Sequence, residues 1–419
     1  KMRDIERILS MHVLLLALNY YPDKLGNAPL MTGLCEGLVQ RGHRVTVVCA
    51  FPHHETGQIE SKYRGKLFAR DQHKGVDILR VWLYAPQGRT LAKMANYASF
   101  TATALAAAST IRNVDVIFTP SPPLTLGIVD QLLSRLRKIP FVYNLQDLFP
   151  EAAIRLGVMT NPAMVKGFEK LERHVYRKAA HLSVISDGFR RHCEERGVPT
   201  EKISVIPNYT DTEFITPMTK RGNAFRQKHS LDRRFVVQFS GRMGYSQGLE
   251  TVVDAWKRLA DLSDIRLMMV GDGQARPMLE AHLGEDPRVI LLPVQPREDL
   301  PELLAAADVG LAPLRHGMAG TSVPSKIFGI MASARPVIAG VDANSDAQIL
   351  IETARCGEVV PPEDPIALAG AIRHLYMNRR LANSMGRRGR NYATTHHCQD
   401  VVVDQYETML KGVVARQHL

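Results

Sequence analysis

One lysine in the second half of the chain lies where a helix would not ordinarily begin with a positive charge. The stretch TSVPSKIFGIMASARPVIAG, residues 321–340, reads as a Ser/Pro-rich loop, an apolar helix and a short strand, with Lys326 in the first helical turn. The backbone dipole is positive at a helix N-terminus, so acids are favoured there. Lys326 is therefore either an exposed, tolerated charge or a ligand for an anion.

Three further strand ends in this half carry residues suited to phosphate binding. One ends in SGRMGYSQGLE, the next in VGDGQARP, and the third in LLPVQP. Glycine lets a ligand approach the backbone closely, and arginine binds a diphosphate through two parallel hydrogen bonds. Each of these segments alone fits an ordinary strand-to-helix turn as well as it fits a phosphate-binding loop. Taken together, they favour a site for a nucleotide diphosphate. The candidate residues are Arg242, Gln247, Gly271, Asp272, Gln295, Thr321, Ser322, Ser325 and Lys326.

Two strand ends in the first half also carry candidate polar groups. The first strand is followed by Gly26 and Asn27 at the start of a helix, a weak indication of ligand binding that fits a structural turn equally well. The segment NLQDLFPEAAIR places Asp147 and Glu151 just after a buried strand. Because Pro150 suits a first helical position, Asp147 can be a helix cap. The alternative is a carboxylate that orients or deprotonates a substrate hydroxyl.

Several classes of site find no support in the sequence. No Ser-His-Asp arrangement or Asp-x-Asp metal motif is present, and the five cysteines are scattered, odd in number and without a Cys-x-x-Cys pair. This cysteine usage predicts a reduced, cytoplasmic chain without disulfides or a zinc site. No apolar run reaches the roughly 20 residues that a membrane-spanning helix needs.

The positive charge of the chain is concentrated in its first half. Residues 1–210 contain 28 Lys and Arg against 18 Asp and Glu, a net charge of +10, whereas residues 211–419 contain 25 against 24, a net charge of +1. This asymmetry indicates an anionic partner for the first half, namely nucleic acid, a membrane surface or a phosphorylated substrate. The alternative is a charge that serves solubility alone.

The elements that position these residues follow a βαβ rhythm. Short apolar runs alternate with amphipathic helices, which predicts an α/β fold with two doubly wound, Rossmann-like domains facing across a cleft. We predict a first domain over residues 1–207, a linker over 208–222, a second domain over 223–395 and a C-terminal helix over 396–419 that packs back on the first domain. The predicted strands are 12–18, 44–49, 78–83, 114–118, 140–145, 182–185, 203–206, 235–239, 266–270, 289–292, 309–312 and 336–339.

The motifs, taken in order, resemble those of glycosyltransferase family 4. The resemblance rests on YYPDKLGN, QDLFPEAA, VIPNYTD, SGRMGYSQGLE, VGDGQARPMLE and VPSKIFGIMASARPVIAG, and it covers roughly residues 11–390. It is closest to the bacterial branch that builds surface polysaccharides, such as colanic-acid and O-antigen transferases. It implies a GT-B fold and a retaining transfer from a nucleotide-sugar donor, with UDP-sugars favoured and GDP-sugars as the alternative.

The resemblance also implies roles for individual residues. Arg242 matches the family's phosphate-binding arginine, and Gln247 lies where many members have a second phosphate-binding lysine. Gly271 and Gln295 correspond to positions that border the base. Gln146 replaces a histidine that many members have near the reacting sugar, which makes Asp147 the more important polar group.

The largest departure from the family lies in the stretch around Lys326. Many members have two glutamates eight positions apart, the first touching the donor sugar and the second the ribose. This chain has Thr321 and Gly329 instead. We therefore expect the ribose to be bound from elsewhere, either by Glu352 or by backbone groups.

The expected mechanism needs neither a metal nor a cofactor. Arg242 and Lys326 stabilise the charge on the departing diphosphate, while Asp147 and Glu151 position the acceptor. The basic first half fits a polyprenyl-diphosphate-linked saccharide acceptor at the anionic inner membrane, so we expect a cytoplasmic, peripherally bound protein and no nucleic-acid partner. The alternatives are a GT-B epimerase acting on a nucleotide sugar, and a degenerate GT-B protein that only binds one.

Overall fold

The computed structural model describes residues 10–24, 26–53, 58–85, 90–155, 157, 159–318 and 324–417. The chain divides into two compact units. Unit 1 comprises residues 1–207 and 399–419, and unit 2 comprises residues 208–398. Each unit is an α/β domain built around its own sheet, which confirms the predicted fold class.

Unit 1 contains an eight-stranded sheet in the order β3-β4-β2-β1-β5-β6-β7-β8, parallel except for the β3–β4 pair. The central strand β1 has the sequence HVLLLA and is buried along its whole length, as expected for a parallel sheet covered by helices on both faces. The strands are β1 His12–Ala17, β2 Arg44–Ala50, β3 Phe68–His73, β4 Val76–Val81, β5 Val116–Pro120, β6 Phe141–Leu145, β7 His181–Val184 and β8 Ile203–Val205.

Helices connect these strands and cover the sheet. In unit 1 they are α1 Ala28–Gln40, α2 Thr90–Ala108, α3 Leu126–Arg137, α4 Glu151–Arg155, α5 Pro162–Lys178, α6 Asp187–Glu195 and the C-terminal helix α15 Gln399–Gln417. Helix α15 packs against α1: Arg41 Nε donates to Asp404 Oδ1 at 2.8 Å, and Gln399 Nε2 donates to the Gly33 carbonyl at 3.0 Å. The last helix of the chain thus belongs to unit 1.

Unit 2 contains a six-stranded parallel sheet in the order β11-β10-β9-β12-β13-β14. Its strands are β9 Phe235–Ser240, β10 Ile265–Val270, β11 Val289–Leu292, β12 Val309–Leu311, β13 Val337–Gly340 and β14 Gly357–Val360. Its helices are α7 Ala224–Lys228, α8 Glu250–Lys257, α9 Arg276–Leu283, α10 Leu300–Ala305, α11 Lys326–Ala332, α12 Asp346–Ala354, α13 Pro365–Met377 and α14 Arg379–His396. The carboxyl ends of the strands therefore meet at one edge, where the phosphate-binding candidates follow them.

Two strands are present that the sequence does not predict. Strand β3 has the polar sequence FARDQH and is an exposed edge strand paired antiparallel to β4, so it lacks the apolar run of a buried strand. Strand β14, GEVV, is a four-residue edge strand beside β13. Both lie at sheet edges, where burial imposes the weakest hydrophobic pattern.

The structure assigns the predicted linker to the second domain. Residues 208–222 belong to unit 2, because Ile215 is buried and packs against Leu304 and Ala332. Arg390 of α14 also donates to the Thr212 and Ile215 carbonyls. The second domain extends to residue 398, beyond the predicted end at 395.

The described residues contain neither a membrane-spanning helix nor a disulfide. No helix within those ranges combines the length and apolar character required to cross a bilayer. The five cysteines are all free thiols, and burial raises the pKa of Cys35, Cys49, Cys193 and Cys356 to about 12, which keeps these four protonated.

Candidate functional site

Backbone loops at the carboxyl edge of the unit 2 sheet pack closely on one another. Gly241 N donates to the Val270 carbonyl at 2.9 Å, and Met243 N donates to the Asp272 carbonyl at 2.8 Å. A Cβ on Gly271 would lie 1.9 Å from the Gly241 carbonyl oxygen, and the φ of Gly271 is +140°. Glycine is therefore required at position 271 by loop packing, whether or not a base lies beside it.

The side chain of Lys326 reaches this edge from the first turn of α11. Its ammonium lies 4.1 Å from the centroid of the Phe239 ring and donates a hydrogen bond to Gln247 Oε1. No carboxylate within the described ranges pairs with it, and burial lowers its pKa to about 7. A partly buried cation without a counterion, at the positive end of a helix, is a site that an anion would stabilise.

Arg242 lies beside this site, directly after β9. It is exposed, and in the described part of the chain its guanidinium forms no ion pair or hydrogen bond. The side chain of Lys326 also passes near Gly241, since a Cβ there would lie 3.5 Å from Lys326 Cε. The backbone next to Arg242 thus adjoins Lys326, and the guanidinium keeps its donors available for a ligand.

An arginine that the sequence analysis misses fixes the loop that carries Gln247. Arg315, after β12, donates from Nε to the Tyr245 carbonyl at 2.8 Å and from Nη2 to Glu250 at 2.7 Å. Its guanidinium also lies 4.1 Å from the centroid of the Tyr245 ring, and its backbone N donates to the Ser246 carbonyl. Arg315 therefore holds the short 3₁₀ helix Tyr245–Gln247 in place; its position four residues after a strand end is the available sequence signal.

The remaining unit 2 candidates divide into three groups. Asp272 and Ser325 are exposed at the carboxyl edge, where Asp272 Oδ1 accepts from Gly273 N. Gln295 follows β11 there, and its amide donates to the Pro293 carbonyl, closing its own loop. Glu352 lies in the second half of α12, roughly 9 Å along the helix from its first residue, and accepts from Gln348.

The position of Glu352 does not favour its predicted role as the ribose ligand. Helix α12 begins after β13 at the carboxyl edge and runs away from it, so Glu352 lies at the far end of the helix from the candidate site. Thr321 and Ser322 lie outside the described residues. At Gly329 a Cβ would meet only Leu304 Cδ1, at 3.5 Å, so nothing in the packing of α11 requires glycine there.

In unit 1, Asp147 lies at the carboxyl end of β6 with its side chain exposed. Ser121 positions the segment: Gln146 N donates to Ser121 Oγ at 3.2 Å, and that hydroxyl donates to the Asp147 carbonyl at 3.3 Å. Burial, and secondarily the nearby Asp147 carboxylate, raises the pKa of Tyr97 to about 12. Gln146, by contrast, is buried and donates to Asn144 Oδ1 at 2.7 Å, so Asp147 is the group that faces solvent.

Glu151 has two arginine partners. Its Oε1 accepts from Arg155 Nε at 2.9 Å, and its Oε2 lies 3.5 Å from Arg196 Nη2. Arg196 in turn donates to the buried Glu172 at 2.6 Å. Glu151 therefore belongs to an ion-pair network that joins α4 to α5 and α6, an arrangement suited to holding helices together.

Gly26 and Asn27 precede α1 at the carboxyl edge of the unit 1 sheet. Gly26 has a φ of +65°, and Asn27 is the N-cap residue, although its side chain makes no capping hydrogen bond. Asn27 Nδ2 instead donates to the Ser121 carbonyl at 3.4 Å. These two residues thus adjoin the segment that carries Asp147.

No group of three or more His, Cys, Asp or Glu side chains within the described residues is arranged to hold a metal ion. The arrangement that the structure does provide is cationic, consisting of Lys326 and Arg242 over glycine-rich loops. Such an arrangement can bind and neutralise a diphosphate through charge-assisted hydrogen bonds.

Both domains are similar to known glycosyltransferase domains. Residues 26–209 match the family described as "Glycosyl transferase 4-like domain", and residues 234–378 match "Glycosyl transferases group 1". The chain is 27% identical over 380 residues to the putative colanic acid biosynthesis glycosyl transferase WcaI of Escherichia coli, covering 87% of this chain and 91% of that protein.

Solved structures share the fold across nearly the whole chain. Sucrose-phosphate synthase from Thermosynechococcus elongatus has a TM-score of 0.77 at 18% identity, covering 97% of this chain and 100% of that one. Anabaena HepE, solved in complex with UDP and glucose, has a TM-score of 0.72 at 18% identity, covering 96% and 100%. The chain therefore has the GT-B fold, and its two domains match a glycosyl transferase 4-like model and a glycosyl transferases group 1 model, as the motifs predict.

Proposed function

We propose that this protein is a retaining glycosyltransferase that takes a sugar from a nucleotide-diphosphate sugar, with UDP-sugars favoured and GDP-sugars as the alternative. The observation that carries the proposal is Lys326, a partly buried cation that donates to the neutral Gln247 and lies beside Arg242, whose guanidinium has no partner among the described residues. The complex of HepE with UDP and glucose supports the choice of donor class.

In the proposed reaction the acceptor hydroxyl oxygen forms a bond to the anomeric carbon of the donor sugar. At the same time the bond between that carbon and the diphosphate oxygen breaks. Arg242 and Lys326 stabilise the negative charge on the departing diphosphate, whose oxygen takes the acceptor proton. Attack from the leaving-group face retains the anomeric configuration. Asp147 orients the acceptor, and we assign Glu151 to holding the segment behind Asp147. Hexosyl transfer without a metal is part of the proposal, and transfer that persists in EDTA is the expected result.

A donor screen tests this assignment. A ligand that binds the native state alone raises stability in proportion to ln(1 + [L]/Kd), so the thermal shift should single out one of UDP-, GDP- and dTDP-sugars. Product analysis with the stabilising donor then separates the alternatives. Transfer to an acceptor supports the proposal, acceptor-free isomerisation indicates an epimerase, and binding without a product indicates a degenerate protein.

We further propose that unit 1 takes a saccharide acceptor carried on a polyprenyl diphosphate, at an anionic membrane surface in the cytoplasm. A surface that we name the hairpin patch supports this: Leu67, Phe68, Trp82 and Tyr84 are exposed, with Leu67 62% exposed. Trp82 N donates to the Leu67 carbonyl at 2.9 Å, which joins the two halves of the patch. Four exposed cations are close to Leu67 and Phe68 in the sequence, namely Lys62, Arg64, Lys66 and Arg70.

Exposed apolar and aromatic side chains in a segment rich in exposed cations suit an anionic bilayer surface. Co-sedimentation with vesicles of phosphatidylglycerol or phosphatidylcholine tests this. We expect binding to phosphatidylglycerol alone, weakened by salt and by Leu67→Ser/Phe68→Ser. The matched control, Ile366→Ser/Met377→Ser, removes two exposed apolar side chains from unit 2 and should bind as the wild type does. Binding that ignores lipid charge and salt would count against a membrane partner.

A further inference from the structure

A second positively charged surface lies in unit 2, at the edge of the sheet opposite the candidate donor site. It is a cleft with a volume of about 710 Å³, bordered by the first residue of β9, Phe235, and by Asp308, which precedes β12. Strand β9 has six residues, so roughly 20 Å separates this amino edge from the carboxyl edge. The cleft is therefore separate from the Lys326 site.

Six cations line the cleft against two acids. The cations are Lys220, Arg221, Arg226, Arg233, Arg234 and Arg379, and the acids are Asp232 and Asp308. General basicity of this half does not explain the excess, because residues 211–419 contain 25 Lys and Arg against 24 Asp and Glu. The positive charge is a local feature of this edge.

Three of these cations have their own protein partners. Asp308 pairs with Lys220 and, at 3.2 Å, with the buried Arg226. Arg379 pairs with Asp264 at 3.3 Å and lies over the Phe235 ring. A single carboxylate thus serves two of the cations, and Asp308 has little capacity to neutralise others.

The other three arginines have none. In the described part of the chain, the side chains of Arg221, Arg233 and Arg234 form no ion pair or hydrogen bond. Burial, and secondarily the like charge of Arg234, lowers the pKa of the neighbouring Arg266. Repulsion between like charges at this edge is relieved when an anion binds.

The turn that presents these arginines is held by a buried side chain. Arg226, 4% exposed, donates from Nη2 to the Leu231 carbonyl at 2.8 Å and to the Arg234 carbonyl at 2.6 Å. Between those two residues Arg233 has a φ of +61°, a left-handed conformation that costs energy for a residue with a Cβ. A buried arginine therefore fixes a strained turn that presents Arg233 and Arg234, next to the exposed Asp232.

We propose that this cleft is a second phosphate-binding site, which uses Arg221, Arg233 and Arg234 to bind a phosphate or diphosphate group. The volume lies within the range of small-molecule sites, and guanidinium groups bind phosphate oxygens in pairs. The phosphate belongs either to a small soluble molecule or to a lipid headgroup. Since the cleft is remote from Lys326, its occupant is distinct from the donor.

Calorimetric titration with inorganic pyrophosphate, at constant ionic strength, tests the site without the donor pocket. The titrated protein carries Arg242→Gln and Lys326→Met, which remove the donor-site cations. We expect pyrophosphate to bind it, and Arg221→Gln/Arg233→Gln/Arg234→Gln to weaken that binding by about tenfold or more. The control, Arg258→Gln/Arg355→Gln/Arg387→Gln, removes the same charge from exposed positions elsewhere in unit 2 and should change the affinity less than about twofold.

Vesicle binding separates the two sources of phosphate. If the cleft binds a lipid headgroup, the cleft variant but not the control should lose affinity for phosphatidylglycerol vesicles. If it binds a soluble molecule, the two variants should bind vesicles alike while only the cleft variant loses pyrophosphate. Unchanged thermal unfolding temperatures should accompany both variants, since these arginines have few or no partners. The proposal is wrong if the cleft variant and the control bind both pyrophosphate and vesicles equally.

Discussion

The ammonium group of Lys326 and the side-chain oxygen of Gln247 are hydrogen-bonded across the carboxyl edge of the second sheet. Lys326 is the first residue of α11, whereas Gln247 is the last residue of the short 3₁₀ helix that Arg315 holds in place. A neutral amide accepts this bond where a carboxylate would have neutralised the charge. The pair therefore positions the lysine without cancelling the charge that we assign to diphosphate binding.

Proton uptake should accompany donor binding. Burial lowers the pKa of Lys326 to about 7, so above pH 7 the free protein holds this lysine mostly neutral. A bound diphosphate favours the charged form and raises the pKa, so binding takes up a proton and affinity falls by up to about tenfold per pH unit above 7. Calorimetry of UDP-glucose binding at pH 8, in buffers of different ionisation enthalpy, measures this uptake. If proton uptake persists in Lys326→Met, a group other than Lys326 takes up the proton.

Two glycine-to-alanine substitutions should have opposite effects on stability. Gly271→Ala places a Cβ 1.9 Å from the Gly241 carbonyl oxygen at a φ of +140°, so we expect a loss of at least about 2 kcal/mol. Gly329→Ala adds a methyl group within α11 at an ordinary van der Waals distance of 3.5 Å from Leu304 Cδ1 and should stabilise by about 0.5–1 kcal/mol. Urea denaturation of the two variants checks the pair. Equal changes in the free energy of unfolding for the two variants would show that loop packing does not require glycine at position 271.

The network around Glu172 should matter more for stability than Glu151 does. Glu172 is fully buried and binds Tyr176, His192 and Arg196, so Glu172→Gln should cost roughly 3–5 kcal/mol. Glu151→Gln should cost about 0.2–1 kcal/mol, because its ion pairs are partly exposed. Denaturant titrations of both variants measure the difference.

The pH dependence of Glu172 has a defined sign. Burial alone would raise its pKa, but the hydrogen bonds from His192 and Arg196 and the Arg196 charge hold that pKa below its usual value. Its stabilising contribution is therefore complete above pH about 4.3 and is lost as pH falls through the lowered pKa. The difference in free energy of unfolding between the wild type and Glu172→Gln should therefore shrink below that pH. A difference that stays constant with pH would contradict the assignment of these hydrogen bonds to an ionised Glu172.

Asp147→Asn should impair acceptor use without affecting the donor. Since Asp147 is exposed beside the Ser121 contacts, its loss should leave the unfolding temperature unchanged and raise the acceptor KM by about tenfold, the order expected for one charge-assisted hydrogen bond. Steady-state kinetics with each substrate varied separates the two constants. Asp77→Asn, which alters a half-exposed carboxylate of unit 1, is the control. A raised donor Kd in Asp147→Asn would refute the acceptor role.

Much of the fold follows from the sequence because buried parallel strands require continuous apolar runs. The runs that became β1, β9 and β10 are predicted within a residue or two, whereas edge strands β3 and β14 lack such a pattern and are missed. Spacing along the chain also cannot reveal which polar groups are already paired. Lys326 and Glu151 look equally available in the sequence, yet only Glu151 has charged partners in the structure.

The most direct test of the donor site is the affinity of Lys326→Met for the nucleotide sugar that most stabilises the wild type. Methionine keeps an apolar stem against Phe239 and removes the charge. We predict a Kd raised by about tenfold to a hundredfold, an unfolding temperature that does not fall, and an unchanged Kd in Lys257→Met, an exposed lysine of α8. A Kd in Lys326→Met equal to that of the wild type would contradict the assignment of this lysine to the donor diphosphate.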